Sequence, residues 1–483
     1  MTNSRRRGVG LALVILLSMI LAACDGGSSD SGSTTTEAAA EEPSGGDSTT
    51  TSEASEEPAD EEPVTLSVSN LPPATEASVR EAFLAQVESF ETTYPWITVE
   101  PSEYEWDPVT FTAQLAGGTL PTLFQVPFTD IQGLIAAGQV ADITDMVAEL
   151  PYADDFNPNI LAVTQDVEGR TYGLVTAAYG IGLHYNRALF EQAGLDPDSP
   201  PQTWDEVREA AAAIASETGV AGYAQMSQNN TGGWMLTSLS YNFGGRLEEG
   251  AGDGVTSTVD NPGTMEALEF LQAMRWEDDS LGDNFLYDWG TINQAFGGGQ
   301  VGMYTSGSDV YNSLVTENSI DPESYGLSVL PLAGADAGVL AGGTVVAVKA
   351  TASAAEVDAA VKWLYHFYLA KLVDEESAVA DASALAENGA PVGTPALPIF
   401  GEEQLALSDA WVADYVNVPL DQMRFFKENI LSQPLVPEPS SHTQEMYAIL
   451  DSVVQAVMTD QNADIGALLQ DAQTQVSALI DQG

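Results

Sequence analysis

The sequence of 483 residues contains a single cysteine, Cys24, and this scarcity excludes a framework of internal disulfides. Basic residues are also few, with 14 lysines and arginines against 71 acidic residues and a formal net charge of −57. Nucleic acid is therefore excluded as a partner, because binding it requires a basic surface. The same acidity disfavours an anionic ligand, although a single arginine could still bind one.

Histidine is scarce as well, and the positions of His184, His366 and His442 show no metal-ligand spacing. The sequence lacks the G-x-S-x-G element of a serine nucleophile. A glycoside hydrolase needs two carboxylates at a defined separation, and no such pair stands out among the acidic residues. We therefore predict no catalytic residue, no metal and no cofactor. An extracellular glycoside hydrolase stays open as the alternative, since abundant acidic residues could supply a pair by chance.

The apolar run at the N-terminus, residues 9–23, is shorter than the about 20 residues that a membrane-spanning helix needs. It follows Arg5, Arg6 and Arg7 and ends in small residues. A basic start, a short apolar core and small residues at the cleavage site are typical of a secretory signal. Residues 1–23 are therefore predicted to be a signal peptide.

The segment Leu21-Ala22-Ala23-Cys24 resembles the signal of bacterial lipoproteins, which is cut before the cysteine so that the thiol can carry a lipid. The resemblance implies that Cys24 anchors the mature protein to the membrane. An ordinary signal followed by an incidental cysteine is the alternative. Residues 24–63 are rich in Ser, Thr, Gly, Glu, Ala and Pro and contain no aromatic residue, which predicts a disordered acidic linker.

The body of the chain, residues 64–483, exceeds the length that one compact core normally holds, so two lobes are expected. Residues 64–68 and 97–100 alternate with period two and are predicted strands. Thr203 and Glu206 form a capping box at the start of a helix that Gly219 would end, and Ser353 begins another helix. Strands that alternate with helices predict an α/β fold with mostly parallel sheets.

Ordered segments of the body carry a family resemblance. They are FETTYPWITVE, LAGGTLPTLFQV, EGRTYGLVTAAYGIGLHYNRALFEQAGLDP, PQTWDEVREAAAAIA, AFGGGQVGMYTSGS and LAGGTVVAVKATASAAEVDAAVKWLYHF. The chain resembles the extracellular solute-binding proteins of sugar ABC transporters, the family 1 group that includes maltose-binding protein. Two departures from the family pattern, Thr122 after Pro121 and Asp309 in place of an aromatic residue, mean that maltose is not assumed as the ligand.

The resemblance implies a type II periplasmic-binding-protein fold with two lobes joined by hinge crossings. Lobe 1 would contain residues 64–175 and 344–392, and lobe 2 would contain residues 176–343 and 393–483. A sugar, expected to be a di- or oligosaccharide, would bind between the lobes and be delivered to a membrane permease by a monomeric protein. A binding protein for a non-sugar solute such as a polyamine is a further alternative, because an acidic cleft would favour it.

A sugar site needs aromatic platforms for the apolar faces of the sugar and amides or carboxylates for its hydroxyls. Where the family's sites lie, the aromatic candidates are Tyr179, Trp234, Trp289 and Tyr304. The polar candidates are Asn70, Gln125, Asp130, Asn229 and Asp309. Core packing is the alternative for each aromatic residue, because tyrosine and tryptophan are often mostly buried.

Overall fold

The computed structural model describes residues 62–75, 77–250 and 254–481, and these residues form one compact unit. The predicted signal peptide, Cys24 and all but the last two residues of the predicted linker lie outside the described residues. Within the described ranges, no helix has the length and apolar character needed to cross a membrane.

Short strands and many helices alternate along the chain. The strands are β1 (Val64–Val68), β2 (Ile97–Pro101), β3 (Leu123–Pro127), β4 (Gly173–Asn186), β5 (Glu248–Glu249), β6 (Thr256–Ser257), β7 (Met303–Gly307), β8 (Tyr325–Val329), β9 (Val339–Val348) and β10 (Leu435–Pro437). The helices are α1 (Ala77–Thr93), α2 (Pro108–Gly117), α3 (Phe128–Ala136), α4 (Thr144–Ala148), α5 (Pro158–Leu161), α6 (Arg187–Gln192), α7 (Trp204–Thr218), α8 (Thr231–Asn242), α9 (Pro262–Trp276), α10 (Trp289–Gly297), α11 (Tyr311–Thr316), α12 (Ala354–Leu364), α13 (Ala370–Val373), α14 (Glu375–Glu387), α15 (Glu402–Val412), α16 (Arg424–Asn429), α17 (Thr443–Thr459) and α18 (Ile465–Ile480). A π-helical turn, Tyr365–Leu369, joins α12 to α13.

Local sequence signals define several of these boundaries. The two predicted strands are confirmed as β1 and β2. Helix α7 begins with the predicted capping box of Thr203 and Glu206, and it ends at Gly219, whose φ of 74° is left-handed. The capping box at Ser353 begins α12 in the same way. These boundaries depend on side chains only three residues apart, so the local sequence is sufficient to place them.

The main sheet is mixed, with the strand order β2-β1-β3-β9-β4-β7 and with β10 beside β9 and β8 beside β4. Strand β1 is parallel to β2 and β3, and β10 is parallel to β9. By contrast, β4 is antiparallel to β7, β8 and β9. The α/β architecture is confirmed, but parallel pairing is confined to part of the sheet, because β4 and β9 cross it in opposite directions.

Strand β4 has 14 residues, and its two halves have different partners. Residues 173–180 pair with β9, whereas residues 181–186 pair with β7 and β8. Strand β9 likewise pairs with β10 at its start and with β3 at its end. One continuous strand therefore carries side chains from one group of strands into the other, and the candidate site lies near this transition.

Candidate functional site

Asn70 and Gln125, two of the polar candidates, are in contact where β1 ends beside β3. Asn70 follows the strand in a left-handed conformation with a φ of 64°, which asparagine tolerates better than most residues. Its amide Nδ2 donates a hydrogen bond to Oε1 of Gln125. Tyr368, in the π-helical turn, forms a side-chain hydrogen bond with Gln125. The two amides are thus held together at this edge of the sheet.

Asp130 lies in the first turn of α3, which follows β3 directly. Trp106 donates a hydrogen bond from Nε1 to Oδ2 of Asp130 over 2.8 Å. Burial raises the pKa of Asp130 to about 6, and the nearby Glu445 adds to this, although hydrogen bonds from Trp106 and Thr129 act in the opposite direction. Burial raises the pKa of Tyr104, and Asp130 adds to this shift. The backbone carbonyl of Tyr104 accepts a hydrogen bond from the backbone N–H of Asn70. Asp130 is therefore an electrostatic neighbour of the group around Asn70.

Tyr179 and Trp234 face each other edge to face, with ring centroids 6.0 Å apart and an interplanar angle of 76°. Tyr179 lies on β4 opposite Gly342 of β9. A Cβ atom at residue 342 would lie 2.6 Å from the Tyr179 hydroxyl, so the ring occupies space that only glycine leaves free. Trp234 lies in α8 and packs against the hydrophobic core with part of its ring. This pair supplies aromatic surface of the kind that sugars contact.

Asp309 is the middle residue of the short 3-10 turn, Ser308–Val310, that follows β7. Burial raises the pKa of Asp309 to about 6. The Asp309 carboxylate and the Tyr179 ring both lie close to Gly307, since a Cβ atom at that residue would be 2.6 Å from Oδ1 of Asp309 and 3.1 Å from the ring. Burial raises the pKa of Tyr179 well above its ordinary value, and Glu438 and Asp309 contribute in the same direction. Asp309 therefore belongs to the surroundings of Tyr179.

Glu438 was not predicted from the sequence, yet it connects these groups. It follows β10, and its Oε1 accepts a hydrogen bond of 3.1 Å from the Tyr447 hydroxyl of α17. Burial raises the pKa of Glu438 to about 8, and Asp130 adds to the shift. Glu438 is thus an electrostatic neighbour of both Asp130 and Tyr179. Its local sequence, Pro437-Glu438-Pro439, contains no periodic pattern that would have singled it out.

These contacts define what we call the polar-aromatic cluster. Its members are Asn70, Tyr104, Trp106, Gln125, Asp130, Tyr179, Trp234, Asp309, Glu438 and Tyr447. Sequence reasoning missed Tyr104, Trp106, Glu438 and Tyr447. A usable signal existed for Tyr104 and Trp106, because they lie in the loop after β2, just as Asn70 lies in the loop after β1.

The contacts of the other three candidates are with residues that are not members of the polar-aromatic cluster. Tyr304 is 0% exposed and packs against Phe296 in the hydrophobic core, where its hydroxyl donates to Asn293 over 2.8 Å. The structure therefore makes Tyr304 a core residue, as every residue of β7 is buried. Asn229 donates a hydrogen bond of 2.9 Å to Asp288, the residue that caps α10 just before Trp289. Asn229 thus lies near Trp289 at the start of α10.

Four polar atoms of the polar-aromatic cluster are shielded from solvent and have no hydrogen-bond partner among the described residues, and we call them the open atoms. They are Asn70 Oδ1, Tyr104 OH, Trp234 Nε1 and Glu438 Oε2. Buried polar atoms in proteins usually have a partner, and other such atoms occur elsewhere in the described residues, but these four belong to one cluster and are free to bind the polar atoms of a ligand. The set combines the indole donor with the amide acceptor, and a polyhydroxylated ligand can serve both.

The charges of the polar-aromatic cluster restrict this ligand further. The cluster contains three carboxyl groups, and none of its members as defined above from the described residues is a lysine or an arginine. In the described ranges, no group of His, Cys, Asp and Glu side chains is arranged to hold a metal ion. The cluster thus offers hydrogen bonds and aromatic surface without a cation for an anionic group to bind.

Comparisons with known proteins identify the family of the chain. A family model for bacterial extracellular solute-binding proteins matches residues 85–382. A putative binding protein of Brucella abortus is 25% identical over 248 residues, which cover 50% of this chain and 58% of that protein. The sn-glycerol-3-phosphate-binding periplasmic protein of Agrobacterium fabrum is 27% identical over 204 residues, which cover 41% of this chain and 44% of that protein. The chain thus spans about half the length of the curated relatives it matches.

The fold has close parallels among solved structures. The GacH receptor of Streptomyces glaucescens, solved without ligand and with acarbose, matches with a TM-score of 0.68 and 19% identity. The match covers 87% of this chain and 99% of that one. It confirms the predicted fold class, in which helices flank the sheets of two lobes.

Proposed function

Because the chain belongs to the bacterial extracellular solute-binding protein family, we propose that it captures a sugar between two lobes and delivers it to the permease of an ABC importer. The open atoms of the polar-aromatic cluster carry this proposal, since they combine donors and acceptors beside aromatic rings. Each hydroxyl of a sugar can donate and accept a hydrogen bond, and its C–H faces can pack on Tyr179 and Trp234. The sugar is bound and released without turnover.

Charge favours a sugar over a phosphorylated solute. The related protein of Agrobacterium fabrum is named for sn-glycerol-3-phosphate, which is an anion. In this chain, Asp130, Asp309 and Glu438 surround the site, and burial raises the pKa of each. The cluster, as defined from the described residues, offers no lysine or arginine to an anionic group, so binding of such a group would be disfavoured.

The two lobes are proposed with the predicted crossings at β4 and β9, where each strand changes its partners. The chain would cross between the lobes a third time, and the lobe bounds given above place this crossing after residue 392. We propose that it lies further along the chain. Phe400 stacks on Phe156 with ring centroids 4.7 Å apart, and α15 packs against α13 and α14. These contacts favour the assignment of residues 393–415 to lobe 1.

Ligand binding tests the function directly. Maltose, cellobiose, trehalose, raffinose and spermidine would each be added to the purified domain in a thermal-unfolding assay. A sugar at 100 times its dissociation constant should raise the free energy of unfolding by about 2.7 kcal/mol. If only spermidine stabilises the domain, the proposed ligand is a polyamine and not a sugar. Release of shorter products from a labelled oligosaccharide would instead support the glycoside hydrolase.

The family implies an extracytoplasmic location, and we propose that Cys24 provides a lipid anchor for a monomeric protein. Two acyl chains are sufficient for stable anchoring, whereas one chain gives only reversible binding. Cys24→Ser is therefore expected to move the protein from the membrane fraction to the medium. Fractionation of cells that produce each form measures this, and retention of the variant in membranes would contradict lipidation.

A further inference from the structure

The two carboxyl oxygens of Glu438 have different surroundings. Oε1 accepts the hydrogen bond from Tyr447, whereas Oε2 is one of the open atoms. Part of the residue is exposed, but Oε2 itself is shielded from solvent. Glu438 also lies between Pro437 and Pro439, and the Pro439 carbonyl is held by the Thr443 hydroxyl at the start of α17. The carboxyl group is therefore fixed with one oxygen occupied and one directed away from its partner.

The groups that interact electrostatically with Glu438 come from four elements, and one of them, Tyr447, also donates a hydrogen bond to it. They are Asp130 of α3, Tyr179 of β4, Tyr241 of α8 and Tyr447 of α17. Burial raises the pKa of each of the three tyrosines, so all three are neutral at physiological pH. Asp130 is the second carboxyl group of the site, and Glu445 acts on it in turn.

The basic residue in this neighbourhood does not neutralise Glu438. Arg246 lies over the Tyr241 ring at 5.1 Å, and its guanidinium donates hydrogen bonds to the carbonyl oxygens of Gly245 and Asp336. Oε2 of Glu438 is thus shielded from solvent, Asp130 is the carboxyl group that acts on its pKa, and the described residues that act on this pKa include no cation. A buried carboxylate without a cation is costly, and retaining a proton removes most of that cost.

We propose that Glu438 is a specificity-determining residue that stays protonated and donates a hydrogen bond from Oε2 to a neutral oxygen atom of the bound sugar. This proposal rests on the proposed function, and it states which kind of ligand atom the Glu438 side chain selects. With Oε1 accepting from Tyr447, the proton resides on Oε2, which makes the open atom a donor. A protonated amine would present hydrogen atoms to that donor, so the site favours a hydroxyl, ether or carbonyl oxygen over an amine.

The protonation state can be tested without a ligand. A protonated carboxyl group has an infrared C=O band distinct from that of a carboxylate. The difference spectrum between the native protein and Glu438→Gln at neutral pH should contain this band. Burial raises the pKa of Glu438 to about 8, so the band should fade as pH rises above that value. A carboxylate band at neutral pH would overturn the proposal, whether or not any sugar binds.

Binding supplies the second test, with calorimetry of whichever sugar among maltose, cellobiose, trehalose and raffinose stabilises the native protein. Glu438→Gln keeps a donor of the same shape, so it should bind that sugar within about threefold of the native affinity, while Glu438→Ala should lose about tenfold or more. In the native protein the affinity should be full below the pKa of Glu438 and should fall about tenfold per pH unit above it. In Glu438→Gln this pH dependence should be absent.

The outcomes separate this inference from the proposed function. If the native protein binds a sugar but Glu438→Gln loses affinity as strongly as Glu438→Ala, the ionised carboxylate is the binding form and the inference is overturned. An affinity that rises with pH, or a preference for spermidine, leads to the same conclusion. If none of the sugars binds, the proposed function fails for them, and the infrared band still decides the state of Glu438. Circular dichroism of both variants verifies that they are folded.

Discussion

Strand β4 carries two aromatic groups, one around His184 and one around Tyr179, which differ in how their polar atoms are satisfied. In the first group, Nδ1 of His184 lies 2.8 Å from the Tyr325 hydroxyl and Nε2 lies 3.1 Å from the carbonyl oxygen of Ser306. The Tyr304 hydroxyl donates to Asn293. Burial lowers the pKa of His184 to about 4, so its ring is neutral. The polar atoms of these rings are thus partnered inside the protein.

The group around Tyr179 contains similar residue types, but some of its polar atoms have no hydrogen-bond partner in the described part of the chain. Trp234 contributes an open atom, and so does Glu438. Leaving buried polar atoms without partners costs free energy, typically about 1–3 kcal/mol for each group. Such a cost is tolerated where a ligand later supplies the partners. Residue types alone therefore do not separate a core from a site. The two groups differ at their ring atoms, which are partnered around His184 but open at Trp234, although Asn293 Nδ2 and Ser306 Oγ of the core group also lack partners among the described residues.

The largest expected effect concerns the core group. Tyr304→Ala removes a fully buried ring and its hydrogen bond to Asn293, so the free energy of unfolding should fall by about 3–5 kcal/mol. Chemical denaturation measures this loss. At a temperature where the variant is folded, its sugar affinity should match that of the native protein. A variant that remains stable but loses affinity would assign Tyr304 to the site instead.

At the site, a substitution is expected to have a smaller effect, and this effect is on sugar affinity and not on stability. Trp234→Ala removes an aromatic platform and an indole donor, so sugar affinity should fall about tenfold or more while stability changes by about 1 kcal/mol. The matched control is Trp276→Ala, whose indole donates to the carbonyl oxygen of Val457. The control should keep its affinity in calorimetry. Early melting of Trp234→Ala with native affinity would show that this ring belongs to the core.

The last expected effect concerns the dependence of stability on pH, which arises in the group around Tyr179. Burial raises the pKa of Asp130 and Asp309 to about 6 and that of Glu438 to about 8. The folded protein therefore retains protons that the unfolded chain releases above about pH 4, and this contribution to stability is lost as pH rises through 6 and 8. The melting temperature of the unliganded protein should be lower at about pH 8.5 than at about pH 5.

A salt series and a variant isolate this effect from general repulsion among acidic residues. High salt screens exposed charges more than buried ones, so the difference should persist in about 1 M salt. Glu438→Gln should remove the part of the decline between about pH 6 and pH 8. A native melting temperature that does not decline over this range would mean that the three carboxyl groups are not buried in solution.

Parts of the fold and the site could be predicted from the sequence, for identifiable physical reasons. The ends of α7 and α12 are defined by capping residues, which act over three positions. Asn70 and Asp130 were identified because the resemblance places the family's sites there, and the structure brings both into the polar-aromatic cluster. Their role in binding stays a prediction.

Two residues show where this reasoning ends. Tyr304 was predicted at the site, but β7 is buried on both faces, so the alternation of its residues does not distinguish a core side from a site side. Glu438 was missed because its role comes from Asp130 and Tyr179, which are distant in the chain. Sequence patterns describe the environment of a side chain only when its neighbours lie on the same element.

The sequence by itself determined the acidic surface, the α/β class and the starts of several helices, because charge, periodicity and capping depend on residues close together in the chain. Only the tertiary structure decided which aromatic residues belong to the core and which carboxyl groups share one buried site. The reason is that desolvation and hydrogen-bond partners depend on distances between elements. Those distances exist only after β4 and β9 have joined the two groups of strands.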